Sequence, residues 1–260
     1  MMGSKRKTNL FLRWSFWRMF LGAKHLRREW QVGDGREARL ADYVLAKARR
    51  GDAADVIRII DEYAYDQSFL MNVGDEKGLI LDAAIARAKP GCVLELGTYC
   101  GYSALRMAVA APSAHITSVE FSESNAEIAR RILDHAGVSG RVTIVVGSLG
   151  DGGKTVDALR ESQGFGAGSV DFVFIDHDKN VYLADLQLIV RQGWLRNGAL
   201  AVADNMKFPG APEYRAYMAE NEGKLWRTVE HEAHVEYQTV LKDLVLVSEY
   251  LPRQTPSRPG

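Results

Sequence analysis

Five short apolar runs, each followed by a helical pattern, constrain the fold of this 260-residue chain more than any other feature. They are CVLELG (92–97), HITSVE (115–120), RVTIVVG (141–147), VDFVFID (170–176) and ALAVADN (199–205). Runs this short and this rich in β-branched residues are typical of parallel strands that helices bury on both faces. They predict a single doubly wound α/β domain with a mostly parallel sheet, whose ligands bind at the carboxyl ends of the strands.

Helical patterns precede these runs, and two further strand-like runs follow them. The helical patterns cover residues 36–50, 53–66 and 75–88, where apolar residues recur at helical spacing. The two late runs, 225–231 and 243–250, follow each other without a helix between them. They predict an antiparallel pair of strands at one edge of the sheet.

The first part of the chain differs in composition from the rest. Residues 1–30 hold eight basic residues, one acidic residue and three tryptophans, whereas the whole chain has a net charge of zero. This balanced total gives no indication of nucleic-acid binding. Arg13 and Arg18 interrupt the apolar run, so we expect neither a membrane span nor a secretory signal. Two interpretations stay open: peripheral contact with a membrane surface, or an arm that packs on the domain or on a neighbouring subunit.

These differences divide the chain into three parts. We predict a basic, aromatic extension over 1–32, one folded domain over 33–251 and a disordered tail over 252–260. The two cysteines, Cys92 and Cys100, belong to a predicted buried strand and the turn after it. A structural disulfide is not expected there, which indicates a reducing compartment and a cytoplasmic protein.

The first strand runs directly into a glycine-containing turn, ELGTYCGYS, from Glu95 to Ser103. Gly97 and Gly101 allow a tight turn and close approach of the backbone to a ligand. The pattern lacks the spacing of the dinucleotide fingerprint, which suggests a ligand without a pyrophosphate. Glu120 ends the second strand, where an acid can accept hydrogen bonds from ribose hydroxyls. Together these features favour an adenosyl ligand, and S-adenosylmethionine fits better than a nicotinamide dinucleotide.

Oxygen ligands for a metal stand at the ends of the fourth and fifth strands. Asp176 ends the fourth strand, and Asp204 and Asn205 end the fifth. Carboxylate and amide oxygens are preferred by hard cations. Because the set contains no thiolate and no imidazole, it predicts Mg²⁺ rather than Zn²⁺.

Lys179 lies three residues after Asp176. A lysine beside a divalent cation and a cationic cofactor releases its proton more readily than usual, which suits a general base. The competing interpretation is a surface lysine paired with Asp178, and it is favoured when Lys179 is taken alone. His177 is interpreted as an orienting or packing group rather than as a metal ligand.

Four blocks of sequence resemble the catechol O-methyltransferase family. They are MNVGDEKG (71–78), LELGTYCGYSALRMA (94–108), FIDHDK (174–179) and ADNMKFPGAP (203–212), in the family's order and near its spacing. The resemblance extends from about Gly51 to Tyr250. It implies a Rossmann-like class I methyltransferase fold and an enzyme that uses S-adenosylmethionine and Mg²⁺. The implied reaction is methylation of one hydroxyl of a small catechol, which makes the catechol the expected small-molecule partner.

The resemblance also implies roles for individual residues. Positions that match the family's cofactor pocket are Met71, Val73, Glu95, Gly97, Tyr99, Ser103, Glu120, Asp176 and His177, with Glu120 on the ribose and His177 beside the adenine. Asp176, Asp204 and Asn205 match the magnesium ligands. Lys179 matches the general base, and Glu236 matches the acid that holds the second catechol hydroxyl. Positions that match the substrate pocket are Phe69, Asp178, Lys179, Asn205, Pro209 and Glu236.

The chain departs from the family in the walls of these pockets. Asp178 stands where the mammalian enzymes have a tryptophan, and Phe69 replaces their other wall tryptophan, whereas Pro209 is kept. Leu149 and Gly150 replace polar residues on the adenine side. These changes bear on the identity of the substrate more than on the reaction.

Two other functions remain to be weighed against a simple catechol methyltransferase. The same metal site would serve an enzyme for larger phenylpropanoid or flavonoid catechols. A catalytically silent scaffold, held at membranes by residues 1–30, belongs to a different class of protein. A silent scaffold does not need the metal ligands, the base and Glu236 together, so the residues argue against it.

Overall fold

The structure is a computed structural model that describes residues 31–251. The predictions for residues 1–30 and for the tail 252–260 lie outside these described residues. None of the helices within residues 31–251 is both long and apolar enough to cross a membrane.

A seven-stranded sheet forms the centre of the domain. In chain order, its strands are β1 (Cys92–Leu96), β2 (His115–Glu120), β3 (Val142–Val146), β4 (Val170–Ile175), β5 (Leu195–Ala203), β6 (Trp226–His234) and β7 (Lys242–Tyr250). Their order across the sheet is β3-β2-β1-β4-β5-β7-β6. β1 to β5 pair in parallel, and β7 runs antiparallel to both β5 and β6. The predicted doubly wound sheet with an antiparallel edge is therefore confirmed.

Eight α-helices surround the sheet in the described part of the chain. They are α1 (Arg36–Lys47), α2 (Ala53–Asp66), α3 (Gly74–Ala88), α4 (Tyr102–Ala110), α5 (Glu123–His135), α6 (Lys154–Gln163), α7 (Tyr182–Arg191) and α8 (Pro212–Glu220). A kinked π-helical turn, Met206–Gly210, follows β5 and contains a cis peptide bond before Pro209.

Two hydrophobic cores lie on opposite faces of the sheet. Side chains alternate between them along each central strand. On β4, Phe172 and Phe174 face the core shared with α1 to α5, and Val173 and Ile175 face the core shared with α6 to α8. Both faces of β4 are buried from residue 172 to residue 175, which explains why this part of the strand is apolar without interruption.

The sheet order reverses between β1 and β4, since the chain leaves β1 toward β2 and returns to the other side of β1 as β4. In open α/β sheets, ligands bind outside the carboxyl ends of the strands at such a switch point. The turn after β1 and the polar residues after β4 and β5 meet at this edge, as the sequence predicts.

Several element boundaries differ from the predicted ones: β6, for example, ends at His234 rather than at residue 231, and two others differ for visible local reasons. α1 ends at Lys47 rather than at residue 50, because Ala48 adopts an extended conformation. β5 begins at Leu195, four residues earlier than predicted, because the start of the strand includes three exposed residues, 196–198, that interrupt the apolar pattern.

Candidate active site

Gly97 brings the turn after β1 against the end of β4. Its φ of 98° lies in the region that favours glycine, and a Cβ at this position would stand 2.4 Å from the main-chain oxygen of Asp176. No other residue fits without moving the backbone. Gly101, with a φ of 83°, immediately precedes α4. The two glycines of the sequence motif therefore shape the turn at the switch point.

Glu120, at the end of β2, ties this turn to the sheet. One carboxylate oxygen accepts hydrogen bonds from the backbone N–H of Thr98 (3.1 Å) and Tyr99 (2.7 Å), and the other accepts from Ser122 N–H (2.8 Å). Burial raises the pKa of Glu120, although these three backbone donors oppose the rise. The carboxylate is thus fixed at the rim of a cleft by main-chain groups.

The cleft has a volume of about 350 Å³ and lies over the ends of β1, β2 and β4. Its lining consists of Leu96, Gly97, Val119, Glu120, Phe121, Gly147, Ser148, Leu149, Gly150, His177, Asp178, Val181 and Asp185. Three residues predicted to bind the cofactor, Gly97, Glu120 and His177, lie in this lining. Its walls are mostly apolar with a few polar groups, the usual character of small-ligand pockets.

The other predicted cofactor residues lie around the turn rather than in this lining. Glu95 is buried in β1 and accepts short hydrogen bonds from the hydroxyls of Ser103 and Ser118. Burial raises the pKa of Glu95 to about 7. Tyr99 donates its hydroxyl to Glu37 Oε1 (2.9 Å) on α1. Met71 and Val73 stand in the segment before α3, where Val73 is buried and Met71 is half-buried.

His177 is held by two neighbours on α7. Its Nε2 lies 2.8 Å from Asp185 Oδ2, and its ring stacks on Tyr182 with centroids 5.0 Å apart. Its Nδ1 is buried and has no hydrogen-bond partner among residues 31–251. The predicted orienting contact is thus visible, and Nδ1 remains for a ligand in the cleft.

Lys179 pairs with Asp176 and not with Asp178. Its Nζ lies 2.9 Å from Asp176 Oδ1 and also donates a hydrogen bond to the hydroxyl of Tyr182. Asp178 is exposed, and its Oδ1 accepts from the backbone N–H (3.0 Å) and side-chain amide (2.8 Å) of Asn180. The interpretation of Lys179 as a surface lysine paired with Asp178 is therefore wrong.

Asp204 and Asn205 follow β5 at the centre of a buried ion cluster. Asp204 Oδ1 accepts from the N–H of Asn205 (2.6 Å), while Oδ2 accepts no hydrogen bond although Lys77 Nζ lies 2.8 Å away. The contact between Lys77 Nζ and Asp204 Oδ2 is an ion pair whose angles do not satisfy a hydrogen bond. Burial, followed by the repulsion of Asp176 and Glu236, raises the pKa of Asp204 to about 8 against the attraction of Lys77.

Asn205 has its amide orientation fixed by two carboxylates. Its Nδ2 donates to Glu236 Oε1 and to Asp243 Oδ2, both at 3.1 Å. Only the amide nitrogen can donate, so the carbonyl oxygen must point the other way. The φ of 58° at Asn205 lies in the left-handed region, which asparagine tolerates better than most residues.

The oxygens at the ends of β4 and β5 are the candidate ligands for the predicted magnesium ion. Within residues 31–251, no group of three or more histidine, cysteine or acidic side chains forms a complete ligand set. Mg²⁺ usually takes only one or two carboxylates and keeps several waters. Asp176, the Oδ2 of Asp204, which accepts no hydrogen bond, and the carbonyl of Asn205 meet that smaller requirement, so the donor set fits the ion.

Lys77 is a site residue that sequence reasoning missed. Its side chain is fully buried, and its Nζ contacts Asp204, Glu236 and Asp243. Burial alone would lower the pKa of Lys77, but the attraction of the surrounding carboxylates outweighs it and holds the pKa well above the ordinary value. Lys77 is therefore an ion-pair partner of the three carboxylates, unlike the base role predicted for Lys179.

The predicted substrate-wall residues differ in exposure. Phe69 is 2% exposed, and its carbonyl oxygen accepts from Arg36 Nη1 (2.6 Å). Asp178 and Pro209 are exposed. Beside Pro209, Phe208 is also exposed. One side of the site is consequently open to solvent.

The fold and the position of the cleft place the protein among doubly wound α/β proteins whose ligands bind at the switch point. The model of the O-methyltransferase family matches residues 54–239. A probable O-methyltransferase of Mycobacterium tuberculosis is 58% identical over 233 residues, which cover 90% of this chain and 100% of that protein. Catechol O-methyltransferase of Bos taurus is 35% identical over 229 residues, which cover 88% of this chain and 81% of the bovine protein.

The solved structures agree on the fold. An O-methyltransferase of Streptomyces achromogenes in complex with S-adenosylmethionine has a TM-score of 0.60 at 17% identity, covering 93% of this chain and 100% of that chain. This chain therefore belongs to the O-methyltransferase family, and the predicted resemblance to catechol O-methyltransferases is confirmed.

Proposed function

We propose that the protein transfers a methyl group from S-adenosylmethionine to one hydroxyl of a catechol-type substrate held with Mg²⁺. The observation that carries this proposal is the arrangement at the ends of β4 and β5. There Lys179 contacts Asp176, and Asp204 and Asn205 stand beside Glu236. The relationship to bovine catechol O-methyltransferase supports the choice of substrate class.

The charge of the cluster supports a divalent cation. Four carboxylates, Asp176, Asp204, Glu236 and Asp243, interact with Lys77, and Lys179 is the second ammonium group. Two positive charges against four negative ones leave an excess of two negative charges when all are ionised. A buried excess of this kind is costly unless a counter-ion neutralises it, and Mg²⁺ carries the matching charge.

The cleft over the ends of β1, β2 and β4 supports the binding of an adenosyl ligand. Glu120 would accept hydrogen bonds from ribose hydroxyls at the end of β2, and His177 would contact the base. Leu149 and Gly150 lie in the same lining, so the adenine would meet an apolar wall where the family usually has polar side chains. S-adenosylmethionine, when bound, supplies the methyl group.

The residues around the metal site have separate tasks in the proposed reaction. Asp176, Asp204 and Asn205 would hold Mg²⁺, which when bound would supply the positive charge that makes a nearby catechol hydroxyl easier to ionise. Lys179, an ammonium group in the resting cluster, first releases a proton to solvent, and its neutral Nζ then accepts the hydroxyl proton. Its contacts with Asp176 and Tyr182 hold it at the strand end. Glu236 accepts a hydrogen bond from the second hydroxyl. Alignment and charge stabilisation then account for most of the rate gain.

The exposed side of the site favours a second candidate, an enzyme for larger phenylpropanoid or flavonoid catechols. Asp178 and Pro209 are exposed, and an open wall leaves room for a bulky substituent. A panel of small catechols, catecholamines and flavonoids separates the two enzymes through their relative kcat/KM values.

The proposal is tested by methyl transfer to catechol with Mg²⁺ and with a chelator, for the wild type, Asp204→Ala and the control Asp157→Asn. Asp157 is exposed on α6, away from the site. We expect Asp204→Ala to abolish Mg²⁺-stimulated turnover while S-adenosylmethionine binding, measured by calorimetry, is largely kept. Equal turnover in the wild type and in Asp204→Ala would refute the metal site.

A further inference from the structure

Lys77 lies behind the proposed substrate site and points its ammonium group into it. The residue stands in the first turn of α3 with its side chain 0% exposed. Its Nζ lies 2.6 Å from Glu236 Oε1, 2.8 Å from Asp204 Oδ2 and 3.0 Å from Asp243 Oδ2. A lysine has three N–H donors, and here three carboxylates from three different elements surround them.

Glu236 uses only one of its two oxygens for these internal contacts. Oε1 accepts from Lys77 and from Asn205 Nδ2 (3.1 Å). No residue within 31–251 donates a hydrogen bond to Oε2. The two donors on Oε1 fix the rotation of the carboxylate, and the other oxygen is left for a ligand.

The first turn of α3 also contacts the backbone of Glu236. A Cβ on Gly74, whose φ is 70°, would lie 3.3 Å from Glu236 Cα and Cβ. α3 thus approaches Glu236 closely at Gly74 and binds its carboxylate at Lys77. This pair of contacts fixes both the main chain and the side chain of Glu236.

Asp243 in turn fixes Lys77. Its Oδ1 accepts from the backbone N–H of Lys207, Phe208 and Leu244 at 2.8 to 3.1 Å, which leaves Oδ2 for Lys77 and Asn205. A carboxylate anchored by three main-chain donors has one orientation. The ammonium group therefore has a rigid support on the side away from Glu236.

We propose that Lys77 is a positioning residue that holds Glu236 Oε1, so that Oε2 faces the second hydroxyl of the substrate. The inference rests on the proposed function. Lys77 does not contact the reacting atoms, and its effect is exerted through Glu236. The competing role is charge balance alone, in which any change that preserves the net charge of the cluster would preserve substrate binding.

The test measures catechol binding by calorimetry with Mg²⁺ and S-adenosylhomocysteine, together with KM and kcat, for the full chain. We expect Lys77→Met to weaken catechol binding by about 10- to 100-fold, the range for loss of one hydrogen bond to a charged group. Affinity for S-adenosylmethionine should change by less than about twofold, because the cleft does not include Lys77. Normal catechol affinity in Lys77→Met would overturn the proposal.

A double-mutant cycle with Glu236→Gln separates positioning from independent action. If Lys77 acts through Glu236, the catechol affinity of the double variant Lys77→Met/Glu236→Gln equals that of whichever single variant binds catechol less tightly. Additive losses would show that Lys77 acts independently of Glu236 and would overturn the proposal.

A charge-compensated variant covers the case in which Lys77→Met fails to fold. Lys77→Met/Asp243→Asn removes one positive and one negative charge, and the asparagine oxygen can still accept from the three backbone donors. The positioning role requires the catechol defect to persist, whereas recovery of wild-type affinity would leave only charge balance. A wild-type chain that binds no catechol would overturn both proposals, which distinguishes that failure from a defect limited to the Lys77 variants.

Discussion

Gly97→Ala is the perturbation whose effect can be worked out most directly from the structure. The added Cβ would lie 2.4 Å from Asp176 O and 2.7 Å from Asp176 C. Both segments are held in place, since Gly97 N donates to Val119 O (3.0 Å) and Asp176 N donates to Leu96 O (2.9 Å). The contact can be relieved only by separating the ends of β1 and β4.

Two costs add in this variant. A residue with a Cβ at a φ of 98° carries a backbone strain of about 1–3 kcal/mol. The steric overlap adds about 1–3 kcal/mol, the usual range for overpacking a rigid site. We expect the free energy of unfolding to fall by about 2–6 kcal/mol. Because Asp176 moves with β4, turnover should fall by up to about 10²-fold.

Gly152→Ala is the matched control. Gly152 has a φ of 81°, but a Cβ there would have no atom within 4 Å. This variant carries strain without overlap, so it should lose about 1–3 kcal/mol and keep its turnover. Urea denaturation gives the stability of each variant and a methyl-transfer assay gives the turnover. Equal losses in the two variants would refute the steric argument at Gly97.

Three further predictions concern the base, the open wall and the N-terminal extension. Lys179→Met should lower kcat by about 10²- to 10⁴-fold with a much smaller change in catechol affinity; normal turnover would place the base elsewhere. Asp178→Trp should shift the kcat/KM ratio of dopamine to dihydroxybenzoic acid toward the acid by about fivefold or less, and an unchanged ratio would exclude Asp178 as a selectivity element. A chain beginning at Gln31, whose Nε2 donates to Asn125 Oδ1 (2.8 Å), should keep its activity. Liposome co-sedimentation of the full chain should require anionic lipid and fall with salt if residues 1–30 bind membranes; absent or salt-independent sedimentation favours the packing arm.

The parts of the fold that sequence reasoning predicted are those with a local signal. The parallel strands carry short runs of apolar and β-branched residues, and α2 begins where Asp52 accepts from the N–H of Asp55. The start of β5 was missed because Arg196 and Asn197 are polar and exposed, so periodicity gives no indication of a strand there.

The residues of the candidate site also differ in whether the local sequence predicts their place. Asp176 and Asp204 were predicted to converge because parallel strands present their carboxyl ends at one edge. Lys77 had no such signal, since a lysine after Asp75 and Glu76 resembles a solvated helix turn. Its burial depends on carboxylates more than 120 residues away in the chain, a long-range arrangement that a single sequence does not display.

β7 is the last strand within residues 31–251, yet it lies between β5 and β6 in the sheet. While the chain emerges from the ribosome, β1 to β5 are made before residues 242–250 exist. Until β7 pairs with β5, the edge of β5 has unpaired backbone N–H and C=O groups, which can pair with strands of other chains and lead to aggregation. Over the same interval Lys77 lacks Asp243, one of its three carboxylate partners. Pairing of β7 with β5 therefore covers that edge and brings Asp243 to Lys77 in one event, so that the buried ion cluster is complete only when the exposed edge of β5 is gone.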